Sequence, residues 1–96
     1  MYEKQLYQRK VTAQLAEWAA EIDKLKAHAS GASAQAQLAM KTHGAALEKH
    51  MAEGKNKLAE TTAASADAWE STRHGAESAL EVIKKTFAEA YAKVKG

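Results

Sequence analysis

The sequence predicts an all-α protein: a long antiparallel helical hairpin, a coiled coil, that assembles into a four-helix bundle. Three observations carry this. The 96 residues include no proline, and proline inside a helix costs about 3 kcal/mol or more. Apolar residues make up 46% of the chain, and 23 of them are alanine, the strongest helix former. Large apolar residues recur at spacings of four and three, the signature of a helical seam.

The first stretch of seam is Val11, Leu15, Trp18, Ile22, Leu25, Ala29, Ala32 and Ala36. Glu17 and Glu21 flank it, and Glu21 lies one turn from Lys24, a favourable pairing distance on a helix. After Ala36 the seam slips by one residue and continues as Met40, Gly44, Leu47, Met51, Gly54 and Leu58. It slips again before Trp69. From there it runs Trp69, Ala76, Leu80, Ile83, Phe87, then Ala90 or Tyr91, and Val94. Such slips are stutters, which unwind a supercoil locally without ending the helix. The residues expected at helix–helix interfaces are therefore Val11, Leu15, Trp18, Ile22, Leu25, Met40, Leu47, Met51, Leu58, Trp69, Leu80, Ile83, Phe87 and Val94.

Between Ser30 and Ala46 the seam is mostly alanine, glycine and serine. Small residues let helices approach closely but bury little area. Gly31, Gly44 and Gly54 each cost about 1 kcal/mol inside a helix. The segment Glu53-Gly54-Lys55-Asn56 is the preferred turn, because glycine suits the position after a helix and asparagine suits an N-cap. A fold-back there sets Leu15 against Val94, Trp18 against Tyr91 and Ile22 against Phe87. Helix one then covers about 3–52 and helix two about 57–95 of a single domain. The alternative break lies at about 63–66, where Ser65 is placed to cap a final helix starting near Trp69.

Only 21 large apolar residues are available, which is little for a chain this long. Self-association is the natural remedy. Fourteen basic and 12 acidic side chains give a net charge of +2. They alternate along the chain, which argues against nucleic acid as a partner. Cysteine is absent, removing thiolate metal sites and disulfides and fitting a reducing cytoplasm. The polar start Met1-Tyr2-Glu3-Lys4-Gln5 does not read as a signal peptide.

Chemistry-bearing patterns are sparse. Glu70, His74 and Glu77 have helical ligand spacing, but exposed Glu–His clusters are common on polar helices. Neither a nucleophile–base arrangement nor a phosphate-cradling loop is present. No catalytic, cofactor or metal site is expected. Trp18 and Trp69 read best as core anchors, with partner contact as the alternative. The run from Ala76 to Lys95 is amphipathic, a pattern that suits another helix or a lipid surface.

Two stretches carry a resemblance. Residues 14–27, from Gln14-Leu15-Ala16-Glu17-Trp18 to Lys26-Ala27, resemble the opening of small bacterial coiled-coil domain-containing proteins. The segments Ala66-Asp67-Ala68-Trp69-Glu70 and Gly75-Ala76-Glu77-Ser78-Ala79 resemble their closing motif. The resemblance spans about Gln14 to Tyr91 and implies helical, non-enzymatic proteins, some loosely associated with stress responses. This chain departs from the group at Ser30-Gly31-Ala32-Ser33-Ala34, where the group is charged and richer in large residues. The group usually lacks glycine at the Gly54 position and often has one where Ser65 stands, which raises the alternative break beside the preferred one.

The function expected is that of a cytoplasmic, non-enzymatic interaction protein. It forms a homodimer or homotetramer and can dock on a larger protein. The alternatives are a lipid- or granule-surface protein of the phasin or apolipoprotein type, and a helical stress protectant.

Overall fold

The computed structural model describes residues 2–95. They form three α-helices: α1 (Tyr2–Ser30), α2 (Ala34–Ala63) and α3 (Trp69–Lys95). The all-α class is as the sequence predicts. The single hairpin is not, because the chain reverses twice.

The first reversal falls in the small-residue stretch. Helix α1 ends in tightened turns, with Gly31 N–H donating to His28 O at 3.3 Å and Ala32 N–H to Ala29 O at 3.1 Å. Ser33 then takes an extended conformation, and its side chain accepts from Ala36 N–H at 3.2 Å. This N-cap satisfies a donor that an interrupted helix leaves open. Helix one of the hairpin reading, about 3–52, is therefore two helices. Large residues on both sides of the stretch can bury themselves only if it bends, and Ser33 makes the bend inexpensive.

Gly54 is not a turn. It is buried in α2, and Asn56 is exposed mid-helix instead of capping a new one. A Cβ on Gly54 would lie 3.0 Å from Ile83 Cδ1 of α3 and 3.4 Å from Leu15 Cδ2 of α1. Glycine is there to let three helices converge, and the gain in packing outweighs its low helix propensity.

The second reversal occupies residues 64–68, at the position of the alternative break. Ser65 caps it as the sequence suggests, accepting from Ala68 N–H through its side chain at 3.3 Å. Lys4 Nζ reaches from α1 to donate to Ala64 O at 2.6 Å. A cation there satisfies a carbonyl at the negative end of α2.

The result is an up-down-up rod measuring 50 × 17 × 16 Å. Helix α2 lies between the others and runs antiparallel to both, while α1 and α3 run parallel. The hairpin pairing is corrected accordingly: Trp18 packs on Phe87 and not Tyr91, and Glu21 bonds Tyr91. The core holds Val11, Leu15, Ile22 and Leu25 of α1, Met40, Leu47 and Met51 of α2, and Ile83, Phe87 and Val94 of α3. Thr61 and Thr86 are also buried, with their hydroxyls donating to Leu58 O and Val82 O one turn back.

Gly54→Leu is expected to destabilise the chain by about 1–3 kcal/mol through overpacking, lowering Tm by several degrees. Thermal unfolding followed by circular dichroism checks this. An unchanged Tm would mean that residue 54 is at an open turn after all.

Candidate interaction site

The described residues offer grooves between helices and no deep cavity. One of them lies between α1 and α3. These helices both pack along α2 but approach each other little, so their bridge is made by long side chains. Tyr7 meets Trp69 edge-on, with ring centroids 5.4 Å apart. Trp18 tilts on Phe87 at 6.2 Å, and Phe87 on Tyr91 at 6.3 Å. Between these contacts runs an open groove of about 430 Å³, walled by Tyr7, Lys10, Gln14 and Trp18 on α1 and by Glu77, Leu80, Glu81 and Lys84 on α3.

The predicted interface residues divide cleanly. Val11, Leu15, Ile22, Leu25, Met40, Leu47, Met51, Trp69, Ile83, Phe87 and Val94 are buried. Trp18, Leu58 and Leu80 are only partly covered. Trp18 and Leu80 both line the groove. Trp69 is 7% exposed and anchors the end of the bundle. The apolar face of the C-terminal helix is turned inward. Tyr7 is a groove residue absent from the predicted seam, although its position one turn before Val11 extends that seam towards the N-terminus.

At the far end of the groove Tyr91 donates a short hydrogen bond to Glu21. That bond holds the Glu21 carboxyl below its ordinary range and the Tyr91 phenol above its own. Lys95 Nζ lies over the Tyr91 ring at 4.8 Å, and Lys24 stands 3.5 Å from Glu21. At the other end, Tyr7 Oη is buried without a hydrogen-bond partner, and burial pushes its pKa up.

The Glu70, His74, Glu77 spacing resolves differently from a ligand set. Arg73 bonds Glu70 at 2.6 Å and Glu77 at 3.3 Å, so both carboxylates are engaged on their own helix. Among the described residues no group of three or more His, Cys, Asp or Glu is arranged to hold a metal ion. No described helix is long and apolar enough to cross a membrane.

No family model, no curated protein and no solved structure matches the chain.

The Tyr91–Glu21 bond fixes a pH dependence. A carboxyl with a depressed folded pKa adds stability above its unfolded pKa, lost as pH falls through the folded value. A phenol with a raised folded pKa adds stability below its unfolded pKa, lost as pH rises through the folded one. Tyr91→Phe is expected to return the Glu21 carboxyl upwards to the usual carboxylate range, read by carbon-detected NMR titration. A Glu21 midpoint that stays depressed in the variant would show that the bond is not its cause.

Proposed function

We propose that this protein is a non-enzymatic interaction module that works by self-association of its amphipathic helices. One observation supports the reading above others: α1 and α3 flank a partly apolar groove that their own side chains do not fill. Two helices on α2 whose backbones barely meet leave the space between them open. Partly covered Trp18 and Leu80 line that space. Tryptophan in such a position is a strong contributor once covered.

The groove favours protein over lipid as its occupant. A lipid surface needs a broad apolar face, and the face of the C-terminal helix that would supply it is spent inside the bundle, with Ile83 at 0% and Val94 at 4% exposure. Lipid binding of the phasin or apolipoprotein type therefore requires the bundle to open, and self-association does not. The resemblance to small bacterial coiled-coil domain-containing proteins points the same way.

Sedimentation equilibrium across a concentration series, with circular dichroism on the same samples, tests the reading. The apparent mass is expected to rise above the 10.4 kDa of one chain by a whole-number multiple, with helicity retained. A single-chain mass at ~100 μM with full helicity and a cooperative melt would contradict it, because a Kd weaker than this leaves less than about 5.5 kcal/mol for association.

A further inference from the structure

We propose that the groove between α1 and α3 is closed by the same groove of a second copy, packed antiparallel about a two-fold axis at the height of Gln14. This rests on the self-association reading and names the surface that performs it.

Rim charge carries the inference. Along α1, Glu3, Lys10, Glu17 and Lys24 recur every seven residues with alternating sign, and all four are exposed. Seven residues make two helical turns, so the four form one stripe. Lys10 lines the groove, Glu3 lies beside Tyr7 and Trp69 at one end, and Lys24 reaches Glu21 beside Tyr91 at the other. Along the matching edge of α3 stand Glu70, Glu77, Glu81, Lys84 and Lys95, also exposed, with Glu77 held by Arg73 on its own helix. Glu81 and Lys84 line the groove. Among the described residues Lys10, Glu17, Glu81 and Lys84 make no ion pair.

An antiparallel partner sets α1 against the partner's α1 and α3 against the partner's α3. With the axis just before Gln14, Lys10 faces the partner's Glu17 and Glu3 faces the partner's Lys24. On α3 the same operation needs an axis between Val82 and Ile83. Glu81 then faces the partner's Lys84, and Glu70 the partner's Lys95. These two points must lie at one height for a single axis to serve both. They do along the middle and C-terminal part of the groove: Leu15 and Ile83 both approach Gly54, Trp18 packs on Phe87 and Glu21 bonds Tyr91, which brings Gln14 level with the turn that holds Val82 and Ile83. At the N-terminal end the long Tyr7 and Trp69 side chains lean across a larger offset to meet. Opposite charges at such flanking positions set orientation and partner choice in helical assemblies.

Area agrees. A standard stable interface takes about 800 Å² from each partner, so on a rod 50 Å long and 16 Å wide the pairing must run along nearly the whole face. Glu70 already holds Arg73 and Lys95 already covers Tyr91, so the inner pairs, Lys10–Glu17 and Glu81–Lys84, carry most of the selectivity.

Charge reversal of exposed residues tests this without touching the core. Sedimentation equilibrium at low salt is run on the full chain, K10E, K10E/E17K and K10E/E81K, with helicity recorded for each. The wild type is expected at twice the single-chain mass. K10E is expected to weaken the dimer about tenfold, K10E/E17K to restore it, and K10E/E81K to weaken it further. A dimer indifferent to all three variants overturns the groove while leaving self-association standing. Rescue by E81K in place of E17K overturns the antiparallel orientation. A monomeric wild type overturns both the groove and the reading on which it rests.

Discussion

The structure depends on one constraint: all three helices must share the same narrow seam of α2. With 21 large apolar residues and 23 alanines, the chain cannot build a thick core. It builds a thin one by bringing helices close. Gly54 is where this is most severe, since Ile83 and Leu15 both occupy the space a side chain would take. Met51 and Leu47, one and two turns before it, are buried by the same approach. The low helix propensity of glycine is offset because α2 is a long helix held on two sides, and packing governs helical stability more than propensity does.

From that seam the remaining features follow. If α1 and α3 both lie along α2, they are parallel and their ends are joined through caps at opposite ends of the rod. Ser33 caps one and Ser65 the other. The distance left between α1 and α3 is bridged by aromatic rings because only long side chains reach across it. The Tyr91–Glu21 bond closes the bridge at one end. What remains uncovered is a groove with a partly apolar floor and charged edges.

Much of this was legible in the sequence, and the reasons for the exceptions are physical. The seam through Met40, Gly44, Leu47, Met51 and Gly54 was readable because helical period survives whatever the tertiary arrangement. Ser65 was readable because capping is local chemistry. Gly54 was misread as a turn because a glycine that breaks a helix and a glycine that admits a neighbouring helix look the same until the neighbour is known. Likewise Gly31 and Ser33 gave a weak local signal for a bend that long-range burial decides. Trp18 and Leu80 belong to the seam by period but are only partly covered and line the groove, because sequence periodicity does not separate a covered position from a groove wall. The groove charges were legible only as alternation. The two-fold arrangement proposed for them needs the relative height of α1 and α3, which only the folded chain supplies.

Two reversals against one is the central structural claim, and a single distance tests it most directly. Arg9 and His74 are exposed on α1 and α3, so nitroxide labels there should leave the core intact. Pulsed electron spin resonance on labelled chain diluted into excess unlabelled protein reads the distance within one molecule. Parallel α1 and α3, with Tyr7 against Trp69, predict a separation of about 25 Å or less, the width of two adjacent helices with their labels. A separation of about 40 Å or more, the rise over some 26 helical residues, would contradict the account and restore a single long hairpin.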